Sequence, residues 1–571
     1  MTYERWAIDR RVAGRRARGP GAAGECRERG RPLSVPVLAV LVGVVASLNY
    51  GAAQADPGIP ATWYVVSGAA AGGNGSEAAP FGSLEAVERA GSPGDTIVVL
   101  PAPRNAPPLD GGIALKPGQQ LIGAGPAVTE APAAAPVPRL TNSRLARDGD
   151  AVKLARGAAV RNLVIDGATR GGIYGNDVAD VTVSGNDISG TNRLCHDGFM
   201  IGPFQVPVTL PAGVAVAPLP PFLLLNNGWA AVMVDAATAT GTVRIEGNRV
   251  HDTGCGDGID VRTFGSATVA AELTDNTLTH INLGLAKLSI LAIGLQSNDD
   301  SRLEATLTGN TETDIASPAG HPGNLAADSE GIFINPTGRS WLRARVDRHR
   351  FDNGGGNFSA NGLEYVTTSG SPTSEVTVTD STFDRVVGDV IENYNLSGDA
   401  AEQQLTLDGV RAMHSTFPGA AAHPVVPVNL GTCLVTTGFG RASKTGLVVR
   451  NSEFGDCSGD GIGIVSYTPE GGGAAEMSFD IQDSRVSGAA VNGLNVLVVG
   501  NPAALRVRVQ DSSITGAAQA AIRADRRGGE SGSIALDFGG GALGSTGNVC
   551  VAGPVQLSGV SVDGSPGPCT K

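Results

Sequence analysis

Apolar and polar residues alternate in a short motif that returns down most of the chain. Its first clear copy is Val181 to Ile188, VTVSGNDI. Later copies begin at Val243 (VRIEGNRV), Leu273 (LTDNTL), Leu307 (LTGNT), Val376 (VTVTDSTF), Leu447 (LVVRNSEF), Phe479 (FDIQDSRV) and Val507 (VRVQDSSI). Period-two alternation marks a half-buried strand, and the Gly, Asp, Asn or Ser that follows supplies a turn. The turn position forms a column: Leu163, Asn186, Asn248, Asn276, Asn310, His349, Ser381, Val410, Ser452, Ser484, Ser512 and Gly539. A second strand start follows nine or ten residues later, as Gly172-Ile173, Gly258-Ile259, Gly461-Ile462, Gly493-Leu494 and Ala521-Ile522. Several short strands per repeat predict an all-β solenoid whose coils bury their apolar sides against one another. The gaps run from 23 residues (Leu163 to Asn186) to 62 (Asn186 to Asn248), so loops of uneven length leave the stack. Asn and Ser in a turn column predict a ladder of side-chain hydrogen bonds between coils.

Before the first coil, Trp63 to Ser67 reads as a strand. Phe81 to Ala90 places Leu84, Val87 and Ala90 on one helical face, and Thr96 to Leu100 is a further strand. A strand, a Gly-rich loop, Pro80-Phe81, a short helix and GDTIVVL, followed by LKPGQQLIG at Leu115 and DFGGGALGSTG at Asp537, resemble the secreted right-handed parallel β-helix proteins of the pectin-lyase-like superfamily. The resemblance implies a right-handed parallel β-helix with a short N-terminal capping helix that covers an otherwise open sheet edge. It implies no catalytic residue. Asp299-Asp300 stands without the Gly-His-Gly and Arg-x-Lys of polygalacturonases, and no Arg or Lys fills the basic role of the pectate lyases.

Composition narrows the picture. Among 571 residues, 81 are Gly, 41% are hydrophobic and only 4% aromatic, which suits tight turns around a slim aliphatic core rather than disorder. The net charge of −13 argues against a nucleic-acid partner. Nine arginines before residue 32, an apolar run from Val35 to Leu48 and Ala53-Gln54-Ala55 predict a secretion signal over residues 1–55. A retained anchor and a misplaced start codon are the rival explanations. The N-terminal cap and first coils then occupy 56–150 and the β-helix proper 151–571, with no membrane segment after cleavage. Loop excursions are expected near 203–225, 317–327 and 412–428. An extracellular or periplasmic destination permits disulfides. Cys433 with Cys457 and Cys550 with Cys569 have the spacing of local staples, and Cys195 with Cys255 pair if the Pro-rich excursion between them loops out.

Candidate chemistry comes from strand parity. With Ile259, Ile332, Leu363 and Ile391 facing inward, Asp260, Phe333, Glu364 and Glu392 face outward. Glu364 and Glu392 are expected on consecutive coils, about 4.8 Å apart, as a catalytic pair. Such a pair has three outcomes: one carboxyl keeps its proton as an acid, both hold a cation such as Ca²⁺, or both relax into water. Tyr365, Asn393 and Tyr394 beside them, and Asp260 with Arg262 a few coils earlier, are the expected substrate-binding residues. Asp257 reads as a turn residue, and His196, His251, His280 and His414 lack ligand spacing. These features predict a protein that binds an extracellular polysaccharide or cell-surface component along one face, with lyase or glycosidase cleavage as the activity open to it. The competing prediction is a rigid, non-enzymatic adhesion or matrix scaffold, which the low aromatic content favours.

Overall fold

The computed structural model describes residues 60–558 apart from 104, 193–198, 202–205, 209–228, 255, 282–290, 316–328, 355–360, 398, 417–428, 440–442, 469–475, 501–504, 528–533, 541, 544–548 and 553–554. Its strands form three long parallel sheets, and each coil visits all three in turn. In one early coil Ile173–Asn176 belongs to sheet 1, Val181–Ser184 to sheet 2 and Asp187–Ser189 to sheet 3. The repeated motif is therefore two strands bent at Gly185-Asn186, and the Gly-Ile signature is the third. Successive coils pair in register, as in Val181↔Val243↔Ala271↔Ala305 on sheet 2. The architecture is a right-handed parallel β-helix.

The expected helix is present as Leu84–Ala90. It starts later than the apolar spacing suggested because Ser83 caps it, its hydroxyl accepting the Ala86 amide. Leu84 and Val87 are buried in the main core. On the next turn Glu88 accepts the Ala114 amide at 3.1 Å and pairs with Arg147 at 2.5 Å. The helix thus satisfies an amide of Ile113–Ala114, the first strand of sheet 1, and blunts that edge.

Sheets 2 and 3 alternate buried and more exposed positions, as in Arg302–Thr308 on sheet 2 and Arg249–His251 on sheet 3. Sheet 1 does not. Ile259–Thr263, Leu291–Ser297, Glu330–Pro336 and Asn361–Thr367 are buried at every residue. The inward side chains Ile259, Ile293, Ile332, Leu363 and Ile391 join the main core, while Leu291, Phe333, Val366, Tyr394, Val435, Val465 and Leu497 form a separate cluster on the other face. Both faces of this sheet are dry, which is the usual condition of parallel sheets.

The turn column forms the expected ladder. The side-chain nitrogens of Asn186, Asn248 and Asn276 each donate to a backbone carbonyl (Val160, Val183 and Ile245) and to the next Asn in the column, at 2.8–3.1 Å. Ser452, Ser484 and Ser512 continue it with hydroxyls that accept the preceding coil's amide. One interior position breaks the apolar rule. Glu312 occupies the column of Ile188, Val250, Leu278, Phe351 and Phe383, with its carboxylate 3.5 Å from the His349 ring and both residues fully buried. Burial pushes the Glu312 carboxyl up, and His349 opposes that.

Cys433 and Cys457 form a disulfide with Cα atoms 5.7 Å apart. It spans 24 residues and closes one coil inside the core. Cys550 lies on the strand Val549–Ala552, whereas Cys569, Cys195 and Cys255 fall outside the described residues. Replacing Cys433 by Ala is expected to lower stability by about 3 kcal/mol, the chain-entropy value for a loop of this length. Non-reducing peptide maps should join Cys433 to Cys457, and recovery of both as alkylated free thiols in the native protein would contradict this. Of the expected excursions, 317–327 and the signal over 1–55 lie outside the described residues. The excursion expected from 412 begins later, since Arg411–Met413 is still a strand of sheet 3. Within 203–225 only Val206–Val208 is described, paired antiparallel with Phe199–Ile201. Among the described residues no helix is long and apolar enough to cross a membrane.

Candidate active site on the outer face of sheet 1

The strands Val232–Ala236, Ile259–Thr263 and Leu291–Ser297 lie side by side, which sets Asp235 beside Arg262 and Asp260 between Met233 and Gly294. Arg262, only 1% exposed, donates to both oxygens of Asp235, from Nε at 2.7 Å and Nη2 at 2.8 Å. This two-point contact fixes the guanidinium plane. From the preceding coil the Tyr174 hydroxyl donates to Asp235 at 3.3 Å. Gly294 makes room for the acid on its neighbour: a Cβ there would stand 2.3 Å from Asp260 Oδ1.

Asp257 precedes the strand and is fully buried, as is Asp260. Asp257 Oδ1 accepts the Leu291 amide at 2.9 Å. Three other Asp residues in this corner column do the same for the coil that follows: Asp150 for Gly171, Asp389 for Thr432 and Asp460 for Asn492. One oxygen of Asp257 therefore has the turn role expected of it. The Asp257 and Asp260 carboxyls lie within hydrogen-bond reach of each other and can share a proton, have no other side-chain donor on Asp257 Oδ2 or on either Asp260 oxygen, and leave Arg262 Nη1 without a partner. Burial, reinforced by the negative charge of Asp260, holds the Asp257 carboxyl well above the ordinary range. Burial also pushes Asp260 up to about 7, with Arg262 opposing and Asp235 reinforcing. Two neighbouring buried carboxyls that both resist ionisation can hold a proton between them.

Two to three coils earlier the same corner column holds a second acid–guanidinium pair. Asp150 accepts from Arg170 at 3.0 and 2.6 Å, and the Arg170 guanidinium lies 3.9 Å over the Trp229 ring. Tyr174 packs against Trp229 with ring centres 4.8 Å apart. Trp229 is 6% exposed and its Nε1 has no partner.

The structure brings Asp260 and Arg262 together as expected, on the face expected. It also puts Glu364 and Glu392 side by side, but they are buried at 5% and 3% exposure, so the picture of a water-facing pair is corrected. Parity gives the side of a sheet a residue occupies and not whether water reaches it. The Asn361 amide donates to Glu392 at 3.2 Å. Tyr365 and Asn393 are a second correction. As neighbours of the glutamates in sequence they point the opposite way, into the interior, where Tyr365 bonds Ser374 and Asn393 bonds Thr436 and Gln403. Tyr394 is on the outer face but buried in its apolar cluster. Asp235 and Tyr174 were missed, and Asp257 was read only as the turn residue that one of its oxygens makes it. Asp235 ends an apolar run, AVMVDA, and only the coil register pairs it with Arg262, 27 residues away. Among the described residues no group of three or more His, Cys, Asp or Glu is arranged to hold a metal ion, so Ca²⁺ gains no site from them.

No protein-family model matches the chain, and no curated protein matches it in sequence. Among solved structures it is similar to a rhamnogalacturonan lyase, with 9% identity and a TM-score of 0.30 over 68% of this chain and 82% of the other. It is also similar to the A-module of an Azotobacter vinelandii mannuronan C-5 epimerase, with 13% identity and a TM-score of 0.32 over 87% and 100% of the two chains. A third is a lacto-N-biosidase from Eubacterium ramulus, with 10% identity and a TM-score of 0.28 over 84% and 68%.

Proposed function

We propose that this chain is a secreted, carbohydrate-active β-helix protein that binds a polysaccharide along the outer face of sheet 1 and cleaves it with Asp257 and Asp260. The observation that carries this is the buried carboxyl pair: Asp257 and Asp260 are both fully buried, burial raises both carboxyls above the ordinary range, and Arg262 stands beside them held by Asp235. Asp257 supplies a proton to the departing glycosidic oxygen as its bond to the sugar carbon breaks. Asp260, once ionised, takes one proton of the attacking water, whose hydroxyl bonds to the sugar carbon while the proton from Asp257 turns the departing oxygen into a hydroxyl. Glu364 and Glu392 lie three and four rungs further along the same outer column, roughly 14 to 19 Å away at the spacing of stacked strands. There they serve as binding groups for a distant part of a chain-like ligand, which replaces the catalytic role expected of them. The buried disulfide supports an oxidising, extracytoplasmic compartment.

Incubation of the purified chain with neutral and uronic polysaccharides, scored by release of reducing ends, tests the reading. Replacing either acid by its amide should lower turnover by about 10²- to 10⁴-fold, the range for loss of an acid–base group. Full turnover in Asp257→Asn and Asp260→Asn, or no polysaccharide bound by the native chain, would leave the scaffold as the better explanation.

A further inference from the structure

Resting on that function, we propose that the sugar ring held at Asp260 is neutral, and that a uronic acid is rejected there. Asp260 can share one proton with Asp257 and still keeps unfilled acceptor positions, while Arg262 Nη1 is an N–H with no acceptor, and Asp260 and Arg262 are 0% and 1% exposed. A sugar hydroxyl satisfies both kinds of group at once, since it donates to a carboxylate and accepts from a guanidinium. Two further orphan groups have the same requirement. Trp229 Nε1 is an unpartnered donor, and Asn192, fully buried with both ends of its amide unpartnered, packs near Gly256, the residue before Asp257. With Arg170 across its ring, Trp229 offers the N–H edge rather than a stacking face. A hydroxyl-rich ring fills all four, and buried polar groups of this kind are costly to leave unfilled.

Charge points the same way. Among the described side chains on this face every cation already has a carboxylate of its own: Lys153 has Asp148, Arg170 has Asp150, Arg262 has Asp235 and Arg523 has Asp525. A uronate carboxylate would add a negative charge beside Asp257 and Asp260 in a water-poor site, where the one cation within reach, Arg262, has its charge already balanced by Asp235. Repulsion at about 4 Å in such surroundings corresponds to a loss of roughly 10²- to 10³-fold in affinity.

The test keeps the polymer constant and changes only its charge. Calorimetric affinities are measured for polygalacturonate and alginate against their carboxyl-reduced forms, and for galactan and glucan against their C6-oxidised forms. The neutral member of each bound pair should bind about 100-fold tighter or better. Asp260→Asn should shrink that ratio to below about tenfold by admitting the uronate, and Trp229→Phe, which keeps the ring and removes the N–H, should weaken the neutral polymer alone by about tenfold. Melting curves confirm that both variants are folded. Tighter binding of the uronic member, unchanged in Asp260→Asn, would overturn the neutral-ring proposal and leave the polysaccharide function standing. Failure to bind any of the eight polymers would overturn both.

Discussion

Asp260→Asn should make the protein more stable above pH 7 while stopping turnover. An acid whose folded pKa is about 7, against 3.8 for its ordinary value, binds its proton more tightly in the folded state. Between those two pH values the folded chain carries more protons than the unfolded one, so this group's contribution to stability falls as pH rises through the window. At about 1.4 kcal/mol for each pH unit, the contribution has a ceiling on the order of 4 kcal/mol for a fully buried group. Asn removes the ionisation, and with it the negative charge that helps to hold Asp257 protonated. Asp150, Glu312 and Asp460 are also raised by burial and lose stability in the same direction, while Asp177, held to about 2 by the Thr238 amide and hydroxyl, and Asp352 lose it only as pH falls. These are common to both proteins. Denaturation at pH 5 and pH 8 therefore reports the joint contribution of Asp260 and the Asp257 coupled to it as the difference between two differences, expected to be several kcal/mol in favour of the variant at pH 8. Parallel pH profiles for the two proteins would show that Asp260 is not desolvated. A site that is more stable when disabled is the usual sign of a functional group held against its own preference.

The turn chemistry that defines the coils was legible because it repeats. Asn186, Asn248, Asn276 and Asn310 mark one corner in the sequence and in the structure alike, since the first three each bond the next Asn and all four bond a backbone carbonyl of the preceding coil. The helix was legible from three apolar positions, and its true start from Ser83. What failed at the site was distance between coils. Arg262 meets Asp235 across 27 residues and Tyr174 meets Asp235 across 61, and no local pattern fixes loop lengths that vary this much. Exposure failed for a different reason. Glu364 and Glu392 obey the alternation that put them outside, yet the outer face of sheet 1 is buried around them, and the apolar Phe333, Val366 and Val435 in the flanking positions are the signal of it in the sequence. Glu312 carried a readable signal that went unused: aligned on Asn310, it falls in the column of Ile188, Val250 and Leu278, where a charge has to find a partner. That partner is His349, the one turn-column residue between Asn310 and Ser381, so the anomaly in the ladder and the anomaly in the core answer each other.

The ladder should be unequal along its length, and Asn248→Ala should cost about twice as much as Ser484→Ala. Asn248 Oδ1 accepts from the amide and the side chain of Asn186 at 3.0 and 2.9 Å, and its Nδ2 donates to the Val183 carbonyl at 2.9 Å and to Asn276 at 3.0 Å. Alanine removes all four bonds and leaves the Asn186 amide without its buried acceptor. Ser484 accepts one amide, from Ser452 at 3.1 Å, and donates once, to the Gln482 carbonyl at 2.6 Å. With about 1–3 kcal/mol lost for each buried group left unsatisfied, Asn248→Ala should lose about 3–5 kcal/mol and Ser484→Ala about 1–2. Each coil touches only its neighbours, so the loss should appear as early opening of the affected coils rather than as a uniform shift of one transition. Hydrogen exchange gives the sharper readout: in Asn248→Ala the amides of Asn186 and Asn248 should exchange faster, while those around Ser484 keep wild-type protection. Equal costs for the two substitutions, or acceleration spread evenly over the whole solenoid, would mean that the column is a by-product of tight turns and not the fastening that holds one coil to the next.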